Sequence, residues 1–148
     1  KHDTKTLPIG GGRDFPESEE AQGRWMARLH EQTGLPEGRL ETLLNRYGTR
    51  ASEVARFIAE GKDDPLANHE DYTVREIEFL IRNERIVRLS DLVLRRTSLA
   101  LLGELTRPLL EELAGIAAHS LEWSVETKQR ELEDTAALLH DWYRITVS

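Results

Sequence analysis

The charged side chains whose spacing is most suggestive in this 148-residue chain lie between positions 84 and 96. Two acids and three of the four arginines are spaced there so that a helix and its successor would bring carboxylates and guanidinium groups together. Paired carboxylates can act as general acid and base, but the segment holds neither a nucleophile motif nor a cofactor motif. We therefore interpret the group first as a structural ion-pair network, formed by Glu84, Arg88, Asp91, Arg95 and Arg96. In the second interpretation, Arg95 or Arg96 binds a carboxylate of a neighbouring domain.

Other residues of chemical interest carry weaker signals. Glycines 10 to 12 lack the Gly-Lys-Ser/Thr sequence of a phosphate loop, and no two of the five histidines have a metal-ligand spacing. The acidic stretch around His69 lacks the ligand order of a calcium loop. Trp25, Trp123 and Trp142 are interpreted as core residues, with a docking surface as the alternative. The sequence thus predicts no catalytic, cofactor-binding or metal-binding residue.

Composition narrows the class of protein. A hydrophobic content of 39%, a charged content of 32% and a length of 148 residues fit one globular domain. The net charge of -7 argues against binding of nucleic acid, because phosphate backbones are held by clustered basic residues. The absence of cysteine fits a reducing, cytoplasmic location, and no apolar run approaches the roughly 20 residues that span a bilayer.

Hydrophobic periodicity predicts an all-α fold, a compact bundle of about six helices. Residues 1–15, with Pro8 and three consecutive glycines, are predicted to be a flexible interdomain linker, and residues 16–148 a helical domain. Lys62 to Tyr72 is predicted to be a polar loop. Ser90 and Ser124 are predicted to cap a short helix and the last helix, whose stripe comprises Val125, Leu132, Ala136, Leu139 and Tyr143.

The central helix has an unusual pattern. Thr73-x-x-Glu76 is a capping signal at its start. Phe79 and Ile86 point to the side opposite the main apolar face, so we expect the helix to lie at the centre of a domain. Glu84 falls in the middle of the main face, where a carboxylate is costly unless it is paired. That face is formed by Val74, Ile77, Leu80, Ile81 and Val87.

The same region carries a family resemblance. The helix from Thr73 through Glu84 and the run Asp91-Leu92-Val93-Leu94-Arg95-Arg96-Thr97-Ser98-Leu99 resemble the C-terminal domain of FAD-dependent glycerol-3-phosphate dehydrogenases. Arg46-Tyr47-Gly48-Thr49-Arg50 resembles the family's turn between two helices, and Thr6 to Gly12 resembles the segment that leaves the flavin domain. The chain departs from the family at three positions. Ser98 stands where the family usually has Arg, Phe79 stands where Tyr is common, and Ile9 interrupts the family's Pro-Gly-Gly.

The resemblance implies a parent enzyme that oxidises sn-glycerol 3-phosphate to dihydroxyacetone phosphate, with FAD as cofactor and quinone as electron acceptor. In such enzymes the flavin and substrate motifs belong to the preceding domain, so the resemblance implies no FAD in this chain and no turnover by it alone. The implied partner is the N-terminal FAD-binding catalytic domain of the same polypeptide. The parent would lie peripherally on the cytoplasmic membrane, and a homodimer is left open.

The sequence leaves two other functions open. A free-standing helical adaptor would bind peptides or partner helices in a groove, although Lys1 in place of Met and the glycine-rich segment favour a piece of a longer polypeptide. A self-contained hydrolase or lyase would need two acids that converge in a cleft.

Overall fold

A computed structural model of the chain describes residues 16–148, and the predicted linker lies outside them. The described residues form two compact units, 16–62 and 63–148. The predicted all-α class is confirmed, because six helices of nine or more residues account for most of the described chain. One domain over residues 16–148 stays a prediction.

The first unit contains three helices. Helix α1 spans Glu19–Thr33, α2 spans Glu37–Tyr47, and a short 3-10 turn at Gly48–Arg50 leads into α3 at Ala51–Ala59. The three helices contact one another pairwise. Each presents an apolar stripe to this small core, which includes Leu29, Leu40, Leu43, Leu44, Val54 and Ile58.

The second unit begins with an antiparallel hairpin. Strand β1 (Pro65–Leu66) pairs with β2 (His69–Thr73). The prediction of a polar loop from Lys62 to Tyr72 was therefore wrong. The segment reads as polar because β2 exposes Glu70 and Asp71, while Leu66 and Tyr72 are buried. Two buried residues are too few to give a strand-type alternation in the sequence.

Four helical segments follow the hairpin. Helix α4 spans Val74–Asn83, and the three-residue turn α5 (Leu89–Asp91) continues into a π turn at Leu92–Arg96. Helices α6 (Arg107–Leu121) and α7 (Val125–Tyr143) complete the unit, and α6 packs against both α4 and α7. The apolar side chains that these helices bury include Ile77, Phe79, Leu80, Ile81, Leu109, Leu110, Leu113, Leu132 and Leu139.

Helix α4 is apolar on two sides, as its sequence predicts. Phe79 is buried as well as Ile77, Leu80 and Ile81. Its start is capped by Thr73, whose side-chain oxygen accepts the Glu76 N–H at 3.3 Å. Val87, predicted on the main face, is exposed instead, because the helix ends at Asn83 and Val87 lies in the connection to α5.

Helix α7 is capped as predicted, since the Ser124 hydroxyl oxygen accepts the Thr127 N–H at 3.1 Å. Its buried stripe is shorter than predicted. Val125 and Tyr143 are exposed, and so is Trp142, which was expected in the core and is 79% exposed. All three lie in the first or last turn of α7, whereas its buried positions run only from Glu131 to Leu139.

Two glycines allow a direct test of how α1 ends. Gly34 terminates α1 with a φ of 73°, whereas Gly38 lies inside α2, and an added Cβ would meet nothing within 4 Å at either position. Substitution of Gly34 by Ala should destabilise the chain by about 1–2 kcal/mol, because L-residues are strained in the left-handed region. Substitution of Gly38 by Ala should stabilise it by about 0.5–1 kcal/mol. Urea unfolding measures both, and equal effects would contradict the assignment.

Candidate functional site

The predicted ion-pair residues lie between the end of α4 and the end of the π turn. Glu84 is the residue that ends α4, and its N–H donates to the Leu80 carbonyl at 3.0 Å. The expectation that Glu84 sits in the middle of a helical face was therefore wrong. Arg85, the next residue, has a φ of 53°, and this left-handed conformation ends the helix.

Glu84 pairs with the last residue of the π turn. One of its carboxylate oxygens lies 3.3 Å from the Arg96 guanidinium, and the Glu84 side chain is 17% exposed. The π turn contacts α4, so this pair joins the end of α4 to the end of the π turn. Because the Arg96 guanidinium is half-exposed, the pair contributes no more than about 1 kcal/mol to the stability of the fold.

Arg88 contacts a different helix from the one that its sequence position suggested. Its guanidinium lies 2.9 Å from Glu131 and 3.9 Å from Asp134, both in α7. The second oxygen of Glu131 accepts the Leu89 N–H at 3.0 Å, and the residue is buried. Glu131 therefore satisfies the first free amide of α5 and ties this segment to α7.

This role had been predicted for Ser90. The structure begins α5 one residue earlier, at Leu89, and Arg88 at the cap position makes no side-chain capping bond. A carboxylate from another helix replaces the expected hydroxyl. Sequence reasoning missed Glu131 because the contact joins residues 42 positions apart, although its place beside Leu132 on the buried stripe of α7 was a usable signal.

Asp91 and Arg95 form the third pair. Their closest charged atoms are 3.6 Å apart, and Arg95 is 77% exposed. The five predicted residues are thus divided among three contacts: Glu84 with Arg96, Arg88 with α7, and Asp91 with Arg95. Whether these contacts stabilise the unit as one network stays a prediction.

A π turn carries both Arg95 and Arg96. The Thr97 hydroxyl donates to the Leu92 carbonyl at 3.1 Å and lies 3.4 Å from that of Val93. Thr97 is buried, so it provides hydrogen bonds inside the unit where the regular helical pattern changes. The two arginines are therefore held on a fixed backbone.

A second polar cluster holds the hairpin. The Glu112 carboxylate of α6 accepts the N–H groups of Ala67 and Asn68 at 2.6 and 3.0 Å, and the Asn68 side-chain amide at 2.9 Å. His69 lies 3.0 Å from Glu104. These contacts fix the hairpin tip, and sequence reasoning did not anticipate them because each spans at least 35 residues.

The arrangement offers electrostatic contacts between elements of the second unit. Among residues 16–148, no three His, Asp or Glu side chains are placed to hold a metal ion. None of the helices described in that range is long and apolar enough to cross a membrane. On the surface of the second unit, hydrogen bonds from its guanidinium to Glu133 and Glu111 raise the pKa of Arg107.

Comparisons with known proteins agree on one kind of relative. The sequence profile described as "C-terminal domain of alpha-glycerophosphate oxidase" matches residues 2–128. The chain is 25% identical over 137 residues to a probable glycerol-3-phosphate dehydrogenase of Encephalitozoon cuniculi, and 26% identical over 141 residues to an alpha-glycerophosphate oxidase of Streptococcus pneumoniae. Each alignment covers 92% of this chain but only 21% or 22% of the relative. No solved structure matches.

The contact between Glu131 and α5 can be separated into its parts by substitution. Glu131→Ala leaves the Leu89 amide without its acceptor and should destabilise the chain by about 2–3 kcal/mol. Glu131→Gln keeps an acceptor oxygen and loses only the ion pair, so it should cost about 1 kcal/mol or less. Glu84→Ala is the matched control and should also cost about 1 kcal/mol. Urea unfolding provides the values; a Glu84→Ala cost equal to that of Glu131→Ala would contradict this ranking.

Proposed function

This chain belongs to the family of the C-terminal domain of alpha-glycerophosphate oxidase, and from that premise we propose that it is a non-catalytic helical cap on a flavoenzyme. The enzyme would oxidise sn-glycerol 3-phosphate to dihydroxyacetone phosphate. The cap would pack on the catalytic part of the same polypeptide and stabilise it. The observation that carries the proposal is the match of this family over residues 2–128.

The length of the relatives supports a catalytic part that lies outside this chain. The chain spans about a fifth of the length of the curated relatives that it matches. Four fifths of such a protein would therefore be available for substrate and cofactor binding. Because the family is that of a C-terminal domain, that part would precede residue 1.

The described residues do not themselves fit FAD. A dinucleotide fold needs parallel strands connected by a helix, with a glycine-rich turn after the first strand. Between residues 16 and 148 the two strands form an antiparallel hairpin instead. We therefore place FAD, the substrate and the transfer of electrons to quinone in the preceding part. A cytoplasmic enzyme, peripheral on the membrane, belongs to the same proposal, and a homodimer is compatible with it.

A turn in the second unit has the properties of a docking contact for that preceding part. Leu101 and Leu102 are 82% and 64% exposed, whereas Leu99 beside them is fully buried. The turn is ordered, because the Leu102 N–H donates to the Ser98 carbonyl and the Glu104 N–H to that of Leu99, both at 3.0 Å. Full burial of a leucine is worth about 1.5–3 kcal/mol.

The double substitution Leu101→Ser/Leu102→Ser tests this contact. In the longer polypeptide it should lower the midpoint of thermal unfolding by a few degrees, because about 3 kcal/mol of apolar burial is lost. In the 148-residue chain alone it should change little, since both side chains are already exposed. Calorimetry on both proteins measures the difference.

Val125→Ser is the matched control, because Val125 is equally exposed but lies at the start of α7. It should leave both midpoints unchanged. Equal midpoints for the Leu101/Leu102 variant and the wild-type longer polypeptide would count against docking through this turn.

A further inference from the structure

We propose that Arg85, Arg95 and Arg96 form a docking surface, the arginine face, that binds carboxylates on the preceding catalytic part of the same polypeptide. The inference rests on the proposed function and adds to it a charged contact whose partner chemistry is specified. Three properties support the arginine face: its charge, its exposure and the way its backbone is held.

The charge of the segment opposes that of the chain. Residues 82–96 contain five arginines and two acids, which leaves a net charge of +3, whereas the whole chain has a net charge of -7. Opposite potentials across an interface guide two surfaces into register. A basic surface on an acidic domain therefore fits an acidic partner.

Arg85 is the most available cation of the face. Its side chain is exposed, and within residues 63–148 the structure gives it no ion pair. Val87, two residues later, is 65% exposed. An apolar side chain among arginines is typical of protein interfaces, where arginine is enriched.

Arg95 and Arg96 supply a forked set of donors. Each guanidinium has five N–H groups, and in its contact with Asp91 or Glu84 one nitrogen approaches a carboxylate oxygen. The two side chains are 77% and 44% exposed. Because Thr97 fixes the backbone beneath them, little backbone ordering is required when they bind a carboxylate in a bidentate manner.

The observations favour the same polypeptide over two other anionic partners. A second copy of this chain carries the same net charge of -7, so the two copies repel each other overall. An anionic lipid surface is bound by uninterrupted clusters of about 4–8 basic residues, whereas Glu84 and Asp91 interrupt this one. A covalently attached partner benefits from a high effective concentration, so a modest patch suffices.

Chemical footprinting of the longer polypeptide tests the arginine face. Phenylglyoxal modifies accessible arginines, and mass spectrometry measures the rate at each position. Arg85 and Arg95 should react about tenfold more slowly than Arg130, which is also exposed in this unit and belongs to α7. The protection should decrease in 1 M NaCl, because salt screens exposed ion pairs.

A variant of the face provides the second readout. Arg85→Gly suits the positive φ at that position, so Arg85→Gly/Arg95→Gln removes two charges and keeps the turn. It should increase the modification rate of Arg96 in the longer polypeptide about fivefold or more. The control Arg130→Gln should leave that rate unchanged.

Three results would overturn the proposal: reaction of Arg85 and Arg95 as fast as Arg130, protection only with phosphatidylserine vesicles, or protection that rises with protein concentration. Amide exchange of residues 98–103 separates this failure from that of the proposed function. If exchange there is slowed while the arginines react freely, the cap docks without the arginine face. If neither region is protected, the proposed docking fails as well.

Discussion

The second unit depends on one buried carboxylate. Glu131 accepts the Leu89 N–H with one oxygen and contacts Arg88 with the other. Without it, the first amide of α5 would be buried without an acceptor, because Leu89 is fully buried. An unsatisfied buried donor costs about 1–3 kcal/mol, which is more than an exposed ion pair contributes. The position of everything between α4 and the π turn follows from this contact, because it attaches the middle of that connection to α7.

That attachment links the fold to the functional proposals. The π turn begins three residues after Leu89, so fixing Leu89 also fixes its start. Thr97 and the Glu84–Arg96 pair then hold the end of the π turn in place. The exposed arginines and the Leu101–Leu102 turn then lie on either side of Thr97 in the sequence, both on ordered backbone. A domain that contributes binding and no chemistry needs such preformed contacts, since ordering a surface at the moment of association reduces the net affinity. Both features are thus suited to the packing proposed above, in which the domain binds the preceding part of the same polypeptide.

Local signals predicted the helices well, and long-range contacts account for the errors. Thr73 and Ser124 cap α4 and α7 as their sequence predicts, because a cap involves residues only three apart. The family, too, was predicted from short runs around Thr73 and Arg95, and the profile match agrees. The sequence did not predict the hairpin, because its tip is held by a distant residue, Glu112 of α6. Ser90 was predicted as the cap of α5 instead of Glu131, because no local pattern shows a contact across 42 residues. The partners of Glu84, Arg88 and Asp91 could be proposed as a group from charge and spacing. Their division among three contacts depends on which helix packs beside each one.

Amide hydrogen exchange of residues 84–96 in the longer polypeptide, compared between wild type and Glu131→Ala, tests the central claim most directly. The account predicts slow exchange at Leu89 and through the π turn in the wild type. In the variant, exchange in this segment should be about tenfold faster or more, whereas α6 should remain protected. Unchanged exchange at Leu89 in the variant would show that another contact holds the segment and would contradict the account.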